Sequence, residues 1–254
     1  MTDVESAPVR AGFWRRVGAL VIDCLVVLVP LQIVVVVLFA MSNGSIQGSF
    51  GFVSRVCQTV AQAPSGLEPP PPADANTFTE CEIGFFGLPT ARTLAIGTVK
   101  QQGNTTSGRF ITYALDAQGN PVNAFTTDWI AILAVAVYLI AMERRSGATI
   151  GKRTLGIRAV PTNAPGQIGL PLRQAVIRQA AKWIGMIPAM LFAVVVFFVL
   201  EDPFAAMETQ GYWTMFAIAA AIQIAWLLWI IISVSSKRDP IYDRIAGTSV
   251  LRTG

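Results

Sequence analysis

The sequence predicts an all-α membrane bundle of four transmembrane helices, with both termini in the cytoplasm and a small, disulfide-stapled, β-rich extracytoplasmic insertion between helices 1 and 2. Of the 254 residues, 53% are hydrophobic and only 13% are charged, whereas soluble domains carry about 25% charged residues. A helix that crosses a bilayer needs about 20 mostly apolar residues in succession. The stretches taken as transmembrane helices 1 to 4 are residues 17–41, 126–142, 183–200 and 212–234.

Basic residues concentrate on one side of these stretches. They precede the first stretch in residues 1–16, fill residues 143–182, and follow the fourth stretch in residues 235–254, whereas residues 42–125 and 201–211 are more acidic than basic. Cytoplasmic loops of membrane proteins carry the excess of Lys and Arg. We therefore expect a multi-pass protein of the bacterial inner membrane, in contact with the lipid bilayer, and no binding of nucleic acid.

The insertion, residues 42–125, carries two cysteines. Cys57 and Cys81 fall in the segment expected outside the cytoplasm, where disulfides persist, so we expect them to be bridged. A proline-rich stretch, Pro64–Asn76, is followed by short runs of β-forming residues separated by turn residues. This pattern predicts a small β-meander.

The basic cytoplasmic segment, residues 143–182, is expected to contain a hairpin and an interfacial helix. LGIRAV and PGQIGL, joined by turn residues, predict two paired strands. A helix then begins near Pro171, and its Arg173, Arg178 and Lys182 are expected to form a basic face at the lipid headgroups.

Three stretches carry a family resemblance: AGFWRRVGALVIDCLVV, SGATIGKRTLGIRAV and KRDPIYDRIAGTSVL. In this order and spacing they resemble the RDD family of membrane proteins, named for one arginine and two aspartates. The resemblance implies that Arg16 is the arginine, with Arg15 as its substitute, and that Asp23 is the first aspartate. It places the second aspartate at Asp243, with Asp239 as the runner-up.

We expect the resemblance to cover the cytoplasmic ends of the bundle. The three stretches also contain glycines that belong to the motif. Residues 42–125 fall outside the family pattern, and the resemblance implies a membrane location but little about activity. The motif glycines are Gly147, Gly151, Gly156 and Gly247.

Asp23 needs a compensating partner, because a carboxylate at the centre of a membrane helix costs about 2.5–3.5 kcal/mol. It lies seven residues after Arg16, too far along a helix for a local pair. We expect an ion-pair clasp in which Asp23 meets a cation of another segment and Arg16 meets Asp243 or Asp239. The candidate cations for Asp23 are Arg244 first, then Lys152 or Arg153. In the alternative, Asp23 binds a proton or a cation.

Gln32 and Gln223 are the other conspicuous polar residues within the apolar stretches. They could hydrogen-bond between helices 1 and 4, which is a packing role.

The chain contains no histidine, and its outer cysteines are expected to be bridged, so neither a Cys–His nucleophile nor a zinc site is expected. We expect a protein without catalytic activity, metal or cofactor. The favoured function is an accessory or scaffold subunit that binds a protein partner in the membrane or forms a homo-oligomer. The alternative is a small oligomeric ion- or proton-coupled transporter that uses Asp23.

Overall fold

The structure is a computed structural model that describes residues 9–102, 105–199, 206–207, 209–236 and 238–253. About half of it is helical and 22% is strand. The predicted all-α membrane bundle is therefore wrong, since strands arranged in several sheets form a substantial part of the fold.

The helices differ greatly in length. The fifth helix, Ile187–Val194, follows a 3₁₀ turn, Ile184–Met186, and precedes a π-helical turn, Val195–Val199. In the described residues the helices are α1 (Phe13–Met41), α2 (Asp128–Ser146), α3 (Ile150–Thr154), α4 (Leu172–Lys182), α5 (Ile187–Val194), α6 (Gln210–Ser235) and α7 (Ile241–Ala246).

Among the described residues, only α1 and α6 are long and apolar enough to cross a membrane. Most of the predicted second span, residues 126–142, lies in α2, which begins at Asp128. The uninterrupted apolar stretch of this helix, Trp129–Met142, is shorter than the roughly 20 residues that a span needs. The predicted third span, residues 183–200, is divided among a 3₁₀ turn, α5 and a π turn. The prediction of four spans is therefore corrected to two candidate helices. Most of the predicted outer loop, residues 201–211, and residues 1–8 of the N-terminal segment lie outside the described residues.

The chain divides into two compact units, one formed by Leu25–Val135 and the other by the chain on either side of that range. The strands are β1 (Ile46–Gln47), β2 (Ser54–Thr59), β3 (Thr77–Phe85), β4 (Leu88–Gln102), β5 (Thr105–Ala114), β6 (Phe125–Thr126), β7 (Ile157–Pro161) and β8 (Thr248–Arg252).

The unit Leu25–Val135 is built around an antiparallel sheet of strand order β2-β3-β4-β5. Strands β4 and β5 lie in runs where the sequence predicts strands, whereas β2 precedes the proline-rich stretch, where no strand is predicted. One face carries an apolar core, and the segment before β3 packs on it. The short strands β1 and β6 pair in parallel beside it. The buried core residues are Leu67, Leu94, Ile96, Tyr113 and Leu115.

In the other unit, β7 pairs with β8 in antiparallel register. The hairpin predicted within residues 143–182 is therefore not what the structure shows: β7 takes its partner from the C-terminal tail. Helix α4 packs against α7 beside this ribbon. The buried apolar residues of this unit's core are Ala11, Ala19, Ile157, Ala159, Leu170, Ala175 and Val250.

Cys57 and Cys81 form a disulfide, which confirms the sequence prediction. The two cysteines lie directly opposite each other in the register of β2 and β3, with their Cα atoms 4.0 Å apart. The bridge therefore ties the edge strand β2 to the rest of the sheet.

Replacing Cys57 and Cys81 together by serine is expected to destabilise the sheet by about 3 kcal/mol, since the bridge closes a loop between residues 24 positions apart and limits the unfolded chain. Hydrogen exchange of the full-length protein in detergent, read by mass spectrometry, should show lost protection in β2 and β3. The control is Cys24→Ser, because Cys24 is a free cysteine. Unchanged protection in the double variant would contradict the expectation.

Candidate functional site

Glu143, at the C-terminal end of α2, lies at the centre of a group of charged side chains. It is fully buried. Its Oε1 accepts hydrogen bonds from Arg178 Nη1, at 2.7 Å, and from Lys152 Nζ. Its Oε2 accepts a hydrogen bond of 3.0 Å from Gln179 Nε2. Both carboxylate oxygens are thus occupied by donors from α3 and α4.

Asp243, on α7, is the second buried carboxylate of the group. Arg178 Nε donates to its Oδ1 at 2.6 Å, and Arg16 Nη1 donates to its Oδ2 at 2.7 Å. The hydroxyl of Thr248 lies 3.4 Å from Oδ1. The side chains of Arg16, Asp243, Arg178, Glu143 and Lys152 therefore form one continuous chain of ion pairs, which we call the buried charge network.

The local sequence explains how Arg178 reaches this position. Helix α4 starts after Pro171, and Ala175, Arg178, Gln179 and Ala181 are its buried residues. Spacings of three and four residues place these side chains on one side of the helix. Because two of the four are alanines, the helix approaches its neighbours closely and leaves room for the guanidinium between them.

Electrostatics keep the two carboxylates of the network ionised. Burial alone would raise the pKa of the Glu143 carboxyl, but the charges of Arg178 and Lys152 hold this pKa well below its ordinary value. Burial opposes ionisation of Asp243 in the same way, and Arg178 and Arg16 lower its pKa. Burial, together with the nearby charges of Arg178 and Lys152, lowers the pKa of Lys182 to about 7.

Asp23, in α1, is also buried. Its Oδ1 accepts hydrogen bonds from the Tyr138 hydroxyl, at 2.9 Å, and from the Gly151 backbone N–H, at 2.8 Å. Its Oδ2 accepts a hydrogen bond of 2.5 Å from the Thr149 hydroxyl. Thr149 caps α3 by accepting a hydrogen bond from the Lys152 backbone N–H, so Asp23 holds α1 against the first turn of α3. We call Asp23, Tyr138, Thr149 and Gly151 the Asp23 anchor.

The cations expected to pair with Asp23 have other partners. Arg244 Nε donates to the backbone carbonyl of Asp239 at 2.8 Å. Lys152 pairs with Glu143, and Arg153 Nη2 donates to the Ser146 hydroxyl at 2.7 Å. In the described part of the chain, the structure thus satisfies Asp23 with neutral donors, and the expected ion pair at Asp23 is replaced by three hydrogen bonds.

The two candidate tail aspartates have different partners. Arg16 pairs with Asp243, whereas Asp239 pairs with Arg10 at 2.8 Å and accepts a hydrogen bond of 2.9 Å from the Ser249 hydroxyl. Arg15, the expected substitute for Arg16, instead donates to the Leu155 backbone carbonyl at 3.0 Å. The structure brings Arg16 and Asp243 together, as one of the two sequence alternatives proposed.

Close packing accounts for one motif glycine and a helix end accounts for another. At Gly151 a Cβ atom would clash with the carbonyl of Ala19, so the absence of a side chain lets α3 lie directly against α1. Gly247 has φ of +64° and ends α7 in the left-handed conformation. Gly147 and Gly156 also have positive φ.

Neither Gln32 nor Gln223 contributes a hydrogen bond to this site among the described residues. Gln32 is buried, and its Nε2 donates to the Phe50 carbonyl at 2.6 Å, while its Oε1 has no partner among the described residues. Gln223 is partly exposed on α6.

Sequence reasoning missed Glu143 and misplaced Arg178. Arg178 is buried rather than on a headgroup face with Arg173 and Lys182. A sequence signal for Glu143 was available, because a lone acid that directly follows an apolar stretch and precedes Arg144 has several bases nearby to pair with.

The chemistry of the site is that of a structural assembly. The carboxylates of Glu143, Asp243 and Asp23 are all occupied by hydrogen bonds from the protein itself. In the described ranges no three His, Cys, Asp or Glu side chains are grouped as metal ligands.

In a comparison with family models, the RDD family matches residues 94–247, which is more than half of the 254-residue chain. The match begins within the segment expected to lie outside the family pattern. Neither the curated proteins nor the solved structures include a match. Arg16 and Asp23 precede the matched residues but contact Asp243 and Thr149 within them. The resemblance drawn from the sequence is confirmed, and the chain belongs to the RDD family.

Proposed function

We propose that this protein is a multi-pass accessory subunit of the bacterial inner membrane that binds a partner membrane protein through the edge of its four-stranded sheet. Two features support a membrane location: family membership and the two long apolar helices, α1 and α6. Exposed apolar side chains cover much of α6, with Ile224, Leu227 and Ile232 each more than half exposed. A bilayer is the solvent that such a helix surface requires.

The exposed bases and the disulfide each favour one side of the membrane for one of the two compact units. Arg144, Arg145 and Arg153 are exposed bases beside the buried charge network, and the excess of bases favours a cytoplasmic location for this unit. The disulfide Cys57–Cys81 favours an oxidising compartment for the sheet.

The observation that carries the proposal is the open edge of the sheet. Strand β2 is the first strand in the order β2-β3-β4-β5, and all six of its residues are exposed, with Val56 at 71%. An exposed edge strand offers unpaired backbone groups that can accept a strand from another chain. The disulfide fixes this edge in place, so its backbone is already ordered for pairing.

The Asp23 anchor supports an accessory role rather than transport. A transport path gathers polar groups around a site that a substrate can enter. Asp23 is only 2% exposed and its two carboxylate oxygens already accept three hydrogen bonds. Binding a cation there would require breaking the contacts that hold α1 to α3.

A photo-crosslinking residue placed at Val56 tests the proposal in intact cells. We expect it to give a crosslink to one defined membrane protein, whereas the same residue at Gln118, in an exposed turn of the same unit, should give none. Val56→Lys should abolish co-purification of that partner, because a charge on an edge strand opposes strand addition. The fold should tolerate this lysine, since Val56 lies opposite Glu82.

The matched control is Gln118→Lys, which adds the same charge away from the edge and should retain the partner. Tagging the partner should recover this protein in turn. A crosslink only to a second copy of the chain would replace the partner by a homo-oligomer. Equal crosslinking from Val56 and Gln118, or a partner that survives Val56→Lys, would refute binding at the edge.

A further inference from the structure

The cytoplasmic end of α6 carries a groove whose polar end is formed in part by the stretch KRDPIYDRIAGTSVL. It has a volume of about 590 Å³, which falls within the 300–1,000 Å³ typical of ligand pockets. Its wall includes Leu228, Trp229 and Ile232, and its polar end includes Ser236, Arg238 and Arg244. The groove is thus apolar along its length and basic at one end.

The spacing of the α6 residues gives the groove its length. Residues Ala225 to Ser236 line it at intervals of three and four, so they share one face of the helix. Over these 12 residues the helix rises about 16 Å. The hydrocarbon core of a bilayer is about 30 Å thick, so the groove extends over the depth of one leaflet.

The arginines at the basic end of the groove, Arg238 and Arg244, form no salt bridge among the described residues. Arg244 is oriented by the hydrogen bond from its Nε to the Asp239 carbonyl. The nearby carboxylate of Asp239 accepts from Arg10 and Ser249 through its Oδ2, and its Oδ1 is buried and has no partner among the described residues. Two exposed guanidinium groups therefore stand at the mouth of an apolar groove.

We propose that this groove binds one anionic phospholipid of the cytoplasmic leaflet. Its acyl chain lies along Leu228, Trp229 and Ile232, and its phosphate accepts hydrogen bonds from Arg238 and Arg244. Guanidinium groups bind phosphate through charge-assisted, often bidentate, hydrogen bonds, and the cytoplasmic leaflet is the one rich in anionic lipids. The proposal requires that α6 lies in the bilayer with its C-terminal end at the cytoplasmic side, and it does not depend on the accessory role.

Native mass spectrometry of the full-length protein, released from detergent, tests the proposal. Phosphatidylglycerol and phosphatidylcholine with the same acyl chains are added at equal concentrations. We expect the wild type to retain one phosphatidylglycerol in preference to phosphatidylcholine. In the double variant Arg238→Gln, Arg244→Gln, the affinity for phosphatidylglycerol should fall about 30-fold, equivalent to about 2 kcal/mol.

The matched control is Arg144→Gln, Arg145→Gln, which removes two exposed positive charges of the same unit outside the groove and should leave the affinity within about threefold. Ile232→Trp, which fills the groove and keeps both arginines, should also weaken binding. Equal retention of the two lipids by the wild type would overturn the proposal even if a variant failed to fold. An equal loss in the control pair, or full binding by Ile232→Trp, would do the same.

Discussion

Glu143→Gln is expected to lower the free energy of unfolding by about 3–5 kcal/mol, because it leaves Arg178 and Lys152 without their shared buried carboxylate. Removing one partner of a buried ion pair costs this much, whereas an exposed pair contributes about 1 kcal/mol or less. Arg178 is only 2% exposed, so water cannot replace the lost carboxylate. Denaturant unfolding of the purified protein in detergent, followed by circular dichroism, measures the difference.

The control is Glu82→Gln, the same change at an exposed residue of β3, which should cost less than about 1 kcal/mol. The pH dependence gives a second test. Since the folded protein holds the pKa of Glu143 below its ordinary value of 4.5, the stability that it contributes is present above about pH 4.5 and is lost as pH falls. Glu143→Gln should remove this part of the acid sensitivity. A variant within 1 kcal/mol of the wild type would show that the network is not a stabilising unit.

Local chemistry made several features predictable. The β-forming runs after Pro64–Asn76 predicted strands where β4 and β5 lie, whereas β2 precedes that stretch and was not predicted. The positions of Cys57 and Cys81 predicted their bridge. Opposite charges on sequence-distant motifs indicated that Arg16 could meet Asp243 or Asp239, and its side chain lies 2.7 Å from that of Asp243. Each of these inferences used a signal that the residue type itself carries.

The partners of Asp23 could not be found in this way. Tyr138 and Thr149 are neutral, so nothing in their charge distinguishes them from other hydroxyls, and the third donor is the backbone N–H of Gly151, a group that every residue except proline has. The search for a compensating cation therefore led to Arg244, which is engaged elsewhere. Hydrogen bonds replaced charge as the means of stabilising a buried carboxylate.

Long-range pairing and helix length limited the fold prediction. Strand β7 pairs with β8, and Ile157 lies opposite Arg252. These residues are far apart in the sequence, so no local turn residue predicts their pairing. Hydropathy alone also predicted one continuous span for residues 183–200. The backbone there instead changes from 3₁₀ to α to π geometry. Apolar composition predicted a nonpolar environment for this stretch but not a continuous helix.

Asp23→Leu is expected to cost about 3 kcal/mol or more, whereas Asp23→Asn should cost about 1 kcal/mol. Leucine leaves the donors of Tyr138, Thr149 and Gly151 without their acceptor, and each buried donor without a partner costs about 1–3 kcal/mol. Asparagine keeps an oxygen for Tyr138 and Gly151, and its amide N–H can donate to the Thr149 hydroxyl once that hydroxyl rotates. Denaturant unfolding in detergent measures both variants under the same conditions.

The asparagine variant is the matched control, because it removes the charge of Asp23 and preserves its shape. If the carboxylate acts as a hydrogen-bond acceptor that holds α1 to α3, the leucine variant should be far less stable than the asparagine variant, and the amide of Gly151 should lose its protection from hydrogen exchange only in the leucine variant. If both variants lose the same stability, the negative charge is what the fold requires, and Asp23 must then be compensated by a bound cation. In that case Asp23→Asn, introduced into a stabilised variant of the protein, should also abolish cation- or proton-coupled flux in proteoliposomes. Transport would then replace the accessory role.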